Sequence, residues 1–395
     1  MKAVLLAGGP EVTKCPLSLV RPRPLFPLVT GVLIERLLRA LHETDVSEAV
    51  ICANGKTRVM REHFLRRPPD LVSVEFSDDE LPRGAAGCLK DVGGFLGSDT
   101  FLVVEAGTFI DGGLARLIED HKKSGAAMTM AAVPARERQG GDGRTANGEP
   151  LSPLGAYVVE PSILEHIPAN GFCDLKEQLV PKLRSKGLRV SVSRFHGRHR
   201  RVGCANSYAA LVQELLGGAF GADEFGGMEE VASQVWKAKG AKVDPTAILV
   251  GPVVVGANAV VGAEAIVAGP TLIGDDAVIG EKAFVSASIL WPTCDIGFGA
   301  RVEQCIVTDA FHVKEMAWLS QSVAVDKALR VGDVRGLGMS GYSVRAQEAA
   351  TAVLRKPHSF TMALSGLRRS LAAMRHDTSG GGLPGRQSTV VDARS

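Results

Sequence analysis

The sequence lacks the marks of a membrane protein, a disulfide scaffold and a nucleic-acid binder. No apolar run reaches the ~18 residues of a membrane-spanning helix. The seven cysteines are scattered, odd in number and never spaced C-x-x-C. Neither a zinc site nor a disulfide frame is indicated, and reduced thiols in a cytoplasmic protein are the expectation. Neither sign of charge dominates: 45 Lys and Arg stand against 43 Asp and Glu, a net +2. No global field therefore points to nucleic acid or to a membrane surface. Met1 runs straight into a strand-like segment with no signal-peptide pattern ahead of it, which fits the same compartment.

What is present is ordinary in bulk and specific in pattern. With 395 residues, 45% hydrophobic and 22% charged, the chain can build two or three domains with real cores. Residues 1–218 alternate strand and helix signals, an α/β pattern. Strands are expected at 2–6, 48–53, 72–76, 101–106, 128–133, 156–160 and 188–195. Helices are expected at 32–43, 114–125, 174–186 and 207–218. RFHGRHRR (194–201) reads as the cationic edge of a hairpin. Residues 219–240 read as a linker.

From 241 the period changes. Val243, Leu249, Val255, Val261, Val267, Ile273, Ile279 and Val285 recur every six residues, and small residues directly follow six of them. A period of six suits a parallel β-helix with one inward branched residue per side. The small residues are expected to let the chain turn each corner. The phase loosens after Trp291, so the β-helix is placed at 241–310. YSVRAQEAATAVLRK and SFTMALSGLRRSLAAM, split by Pro357, suggest a helical region over 311–375. The composition of 376–395 suggests a disordered tail.

The N-terminus frames the functional question. The strand KAVLL leads into Ala7-Gly8-Gly9, as at a phosphate-binding turn, but Pro10, Glu11, Val12 and Thr13 follow where glycine and a cation are wanted. LAGGPEVTKCPLSLVRPRPLFPL (6–28) then spaces its prolines in a distinctive way.

These motifs, with the hexads, resemble the sugar-1-phosphate nucleotidyltransferases (NDP-sugar pyrophosphorylases). The segments PRGAAGCLKDV, PLGAYVVEPSILEHIP, LVPKLRSKG and RRVGCANSY add to the resemblance. It implies a Rossmann-like, GT-A-like α/β nucleotidyltransferase domain, then a left-handed parallel β-helix, with the helical region after it. It also implies a cleft for nucleotide or nucleotide-sugar. Leu6, Ala7, Gly8, Gly9, Arg23, Gly84, Ala85, Ala86 and Gly87 would lie on the nucleotide side, with Gly155 and Tyr157 on the sugar side.

The departures from the family fall at its chemistry. Glu11 stands at a loop glycine, Thr13 at the loop arginine and Arg23 at the lysine. The two aspartates that hold magnesium align with Gly107 and Arg201. Phosphoryl transfer depends on positive charge and in-line positioning, so the expectation is a catalytically impaired protein, a pseudoenzyme. It would bind a nucleotide or nucleotide-sugar as a regulator or scaffold, as a homo-oligomer or the partner of an active paralogue. The alternative is an active enzyme making an NDP-sugar, with Mg2+ held by Glu105 or Asp111. A hexapeptide acyltransferase is a third reading. It needs a histidine base, and none occurs between Arg200 and Phe311.

Overall fold

The computed structural model describes residues 1–8, 15–53, 57–78, 83–134, 143–144, 150–218 and 225–325. The first domain is a mixed α/β sheet. Its strands are β1 (Lys2–Leu6), β2 (Glu48–Cys52), β3 (Ser73–Ser77), β4 (Phe101–Glu105), β6 (Met128–Pro134), β8 (Pro150–Val159) and β9 (Val190–Arg194), in the order β3-β2-β1-β4-β8-β6-β9. A short β7 (Gly143–Arg144) pairs with β8. The centre is parallel, β1 lying between β2 and β4, whereas β8 runs antiparallel to β4 and β6. Continuous apolar runs such as Phe101–Val104, all fully buried, suit strands covered on both faces.

Helices α1 (Leu33–His42), α2 (Thr57–Arg66), α3 (Gly84–Asp91), α4 (Gly93–Leu96), α5 (Leu114–Ser124), α6 (Val180–Ser185) and α7 (Ala205–Leu216) complete the domain. In α1, Leu33, Ile34, Leu37, Leu38 and Leu41 are buried, the recurrence a helix needs to cover a sheet. The Glu35 carboxylate accepts the Val32 N–H at 3.0 Å and closes its first turn.

Residues 194–201 are not a hairpin. β9 ends at Arg194 beside β6, and β10 (Arg198–Arg201) pairs antiparallel with β5 (Thr108–Asp111) in a separate two-stranded sheet.

From Val235 onward the C-terminal domain is three parallel-strand sheets to which successive strands are dealt in rotation, and Glu229–Ala232 lies antiparallel at the edge of the first. All eight hexad residues pack into one core cluster, and those from Val255 to Val285 are at most 1% exposed. The corners work differently from the sequence expectation. Left-handed backbone falls on Asn258, Glu264, Asp276 and Lys282, with φ of 55 to 58°, three residues after Val255, Val261, Ile273 and Ile279. The small residue at Gly256 answers crowding instead. A Cβ there would lie 2.6 Å from the Asp275 nitrogen of the next coil.

The domain is also longer than the hexads suggested. Glu229–Ala232 and Val235–Lys237 lie within the expected linker, yet they begin the seven-stranded sheet. His312–Val313, Trp318–Ser320 and Val323–Ala324 continue the three sheets into the region expected to be helical. The reason is a dropped residue. Val255 pairs with Ile273, eighteen residues on, but Ile273 pairs with Leu290 and Leu290 with Val307, seventeen on. The helices expected beyond 325 and the tail at 376–395 lie outside the described residues.

The two domains share a buried seam. Val254, Leu272, Ile289 and Ile306 cluster with α7 residues Tyr208, Leu211 and Leu215. At its centre Trp291 Nε1 donates to Tyr208 Oη at 2.9 Å, and Tyr208 Oη donates to the Pro27 carbonyl at 2.6 Å. Arg21 pairs with Asp309, and Arg67 reaches Asp275 at 3.0 Å. Substituting Tyr208→Phe strands a buried indole N–H and a carbonyl, so urea unfolding followed by tryptophan fluorescence is expected to show a loss of about 1–3 kcal/mol.

Candidate functional site

The end of β1 opens the cleft. Ala7 and Gly8 donate their N–H groups to the Cys52 carbonyl at 2.9 and 3.0 Å, so the first turn is tied to β2. Leu6, Ala7 and Gly8 are half-buried, while Gly9, Glu11 and Thr13 lie outside the described residues. Arg23 follows on a short 3-10 turn, Arg23–Leu25. It reaches back to the matched metal position: a Cβ on Gly107 would lie 3.9 Å from Arg23 Cδ.

The base-side segment is a packed helix start. Ala86 and Gly87 are buried, and their N–H groups point at the Cys173 carbonyl, at 3.1 and 3.4 Å. Gly84, at φ +77°, has the same carbonyl 2.6 Å from where a Cβ would be. Its conformation serves the close approach of the 172–174 segment. Gly84 and Ala85 are the half-buried pair in this segment.

The sugar-side and metal positions converge. Glu105, at the end of β4, receives Lys176 Nζ on Oε1 and Arg201 Nη2 on Oε2, each at 2.8 Å. Lys176 is held by Asp174, whose carboxylate accepts the N–H groups of Lys176 and Glu177 at 2.7 and 2.8 Å. Arg201 closes β10, and the next residue, Val202, donates its N–H to the Gly107 carbonyl at 2.9 Å. Gly155 makes the seat. It lies at φ +90° where β8 slips register against β6, and a Cβ there would meet Glu105 Cδ at 2.7 Å. Tyr157, two residues on, is fully buried, and its hydroxyl has no hydrogen-bond partner. Burial, with the Glu105 charge behind it, pushes that hydroxyl far above its ordinary pKa.

Lys176 was not singled out in the sequence. It sits in DLKEQ, just before the P-K-L helix, where a lone lysine on a helical turn carries no signal of its own. Only the return of Glu105 across the sheet gives it a role. Burial raises the pKa of the Cys15 and Cys173 thiols, which leaves less of the reactive thiolate at either.

A divalent ion of the magnesium class needs hard oxygen donors. Gly107 offers no side chain, Arg201 is a cation, and Glu105 is already paired twice. Asp111 faces Arg36 at 3.6 Å and Arg198 at 3.8 Å. It lies about 10 Å along β5 from Thr108, which pairs with Arg201. Among the described residues no group of three or more His, Cys, Asp or Glu is placed to hold a metal. These residues do not fit magnesium.

Residues 2–140 match the nucleotidyl transferase family model, and residues 231–337 match the GMPPB C-terminal domain model. A mannose-1-phosphate guanylyltransferase of Mycobacterium tuberculosis is 24% identical over 283 residues, 66% of this chain and 76% of that protein. The chain belongs to the sugar-1-phosphate nucleotidyltransferase family. A mannose-1-phosphate guanyltransferase of Candida albicans is 31% identical over 140 residues, 35% of this chain and 39% of that one. Among solved structures, HddC from Yersinia pseudotuberculosis, 16% identical, is matched over 54% of this chain and 98% of its own, with a TM-score of 0.47. No described helix is long and apolar enough to cross a membrane.

The Glu105 seat yields a direct test. Gly155→Ala puts a methyl group into the carboxylate and forces φ > 0 on alanine. It is expected to cost about 1–3 kcal/mol in urea unfolding. Gly94→Ala, where a Cβ meets nothing within 4 Å, is the control and is expected to change stability by less than about 0.5 kcal/mol.

Proposed function

We propose that this nucleotidyltransferase-like protein is catalytically impaired. It binds a guanine nucleotide or GDP-sugar and acts as a regulatory or scaffold partner. One observation carries the reading. Of the two positions that would hold the metal, one is glycine and the other is an arginine spent on Glu105. Transfer at the α-phosphorus needs charge that bridges the attacking and leaving oxygens. Arg201, Lys176 and Arg23 can attract a phosphorylated ligand, but among the described residues no group of three or more His, Cys, Asp or Glu is placed to seat a dication.

The choice of guanine rests on the relatives, several of which are named mannose-1-phosphate guanylyltransferases. We read the C-terminal domain as a left-handed β-helix, from its three-sheet rotation and inward hexads. Its outer surface supports the scaffold role. Met316 and Trp318 are 60% and 55% exposed, and the Arg301 guanidinium lies between the Phe284 and Trp318 rings at 5.0 and 5.8 Å. Exposed aromatic and arginine side chains of this kind suit a homo-oligomer or an active paralogue. The Glu105 and Asp111 ion pairs weigh against the active alternative in a cytoplasmic setting.

Two measurements on the full chain test the proposal. With Mg2+, each of the five common NTPs and mannose or glucose 1-phosphate, pyrophosphate release is expected to stay at background. GDP-mannose at 100 times its dissociation constant is expected to add about 2.7 kcal/mol of apparent stability, equally with magnesium and with EDTA. Sustained, magnesium-dependent turnover overturns the reading.

A further inference from the structure

The Glu105 arrangement goes one step further, and the step rests on the reading that the cleft binds a phosphorylated ligand without metal. We propose that Glu105 is a resident counter-anion in a phosphoryl cradle formed by Lys176 and Arg201, and that the phosphoryl group of a sugar 1-phosphate or nucleotide-sugar displaces it.

Two cations from separate parts of the chain converge on one carboxylate, one oxygen each. Both are anchored through backbone hydrogen bonds, by the Asp174 cap and by the Val202–Gly107 bond. Their backbones are therefore fixed beside the site, and both side chains stay within reach of it when the carboxylate leaves. A phosphoryl group presents the same kind of acceptor oxygens to a guanidinium and an ammonium, with more charge and one oxygen to spare. It can take over both contacts at once.

The seat points to a ligand independently. Tyr157 shares the strand face of Gly155, two residues on. Its hydroxyl is sealed from solvent and has no partner. A buried hydroxyl without a partner is costly. The Tyr157 ring lies 6.0 Å from Lys176 Nζ, and the charges of Glu105, Arg201 and, more weakly, Asp174 act on its hydroxyl. Moving Glu105 off Gly155 opens a space bounded by two cations and a hydroxyl. That combination recognises a phosphoryl group next to a sugar oxygen. The Glu105 side chain is 24% exposed, so it has an outlet to water. The carboxylate and the ligand then compete for the same cations, and ligand affinity is set by the difference.

Isothermal titration in EDTA, with mannose 1-phosphate, GDP-mannose and inorganic pyrophosphate, tests the displacement. Glu105→Gln removes the competing charge and is expected to tighten all three on the order of tenfold, with a steeper loss of affinity as salt rises. Arg201→Gln is expected to weaken all three by a similar factor. A purely structural role would make both variants bind worse. Tyr157→Phe is expected to weaken the two sugar ligands and leave pyrophosphate unchanged, which separates phosphoryl from sugar recognition. Should Glu105→Gln fold poorly, Glu105→Asp shortens the reach to the cations and is expected to tighten binding a few-fold. If wild type binds GDP-mannose and neither Glu105 variant binds more tightly, the displacement is wrong while nucleotide-sugar binding stands. If neither wild type nor the variants bind any of the three, the proposed function falls with it.

Discussion

The mouth of the first sheet is organised around one half-buried negative charge. Glu105 ends the central strand, and a carboxylate in that position cannot be left without partners. Lys176 and Arg201 satisfy its two oxygens, and Gly155 gives up a side chain so that it fits. Each ion pair is partly exposed and contributes little by itself. Their joint effect is positional. They tie β4, β8, β10 and the segment leading into α6 to a single point, and fix which charges face the cleft. In the family pattern two carboxylates meet a dication. Here one carboxylate meets two monocations, which leaves one positive charge in excess at the mouth of the sheet.

The C-terminal domain supports that arrangement from behind. Tyr208 takes the Trp291 indole on one side and holds the Pro27 carbonyl on the other. Pro27 lies four residues beyond Arg23, and Phe26 between them packs against both rings, with centroids 5.3 and 5.4 Å away. The segment that delivers Arg23 to Gly107 is thus clamped to the parallel sheets by a buried hydrogen-bonded relay. Val254, Leu272, Ile289 and Ile306 are successive register partners, and together they present one apolar wall to α7.

Much of this could be read from the residues, and the misses have physical causes. Buried central strands announce themselves as unbroken apolar runs, as Phe101–Val104 does. The hexads announce themselves because each inward position is branched and small residues recur beside them. Glu229–Ala232 gave no such signal, because it is an exposed edge strand with polar residues. The last coils were missed because one residue per coil is dropped after Ile273, which breaks the phase without breaking the stack. Residues far apart in sequence carry no mark of their pairing. Gly107 and Arg201 were visible as departures from a family pattern, but the Lys176–Glu105–Arg201 bridge joins positions 105, 155, 176 and 201. Only folding brings those together. Glycine was the ambiguous letter. At Gly84 it admits the Cys173 carbonyl and at Gly155 a carboxylate, whereas the resemblance put the first on the nucleotide side of a cleft and the second on its sugar side.

Reversing the charges has a consequence for catalysis that follows from where the attraction acts. On the proposed reading, Lys176 and Arg201 hold a phosphorylated ligand in place of Glu105 as soon as it arrives, before any bond is made. Such uniform binding raises affinity without lowering the barrier to reaction. A metal seated by paired carboxylates acts differently, because it can follow the charge that builds on attacking and leaving oxygens. On the proposed reading, the replacement of aspartate by Arg201 therefore does two things at once. It strengthens ground-state attraction for an anion, and it removes the element that discriminates in favour of the transition state. Retained binding and lost turnover then need no separate explanations. Glu105 completes the logic: with no metal to hold, its remaining partners are the cations that a ligand would also seek.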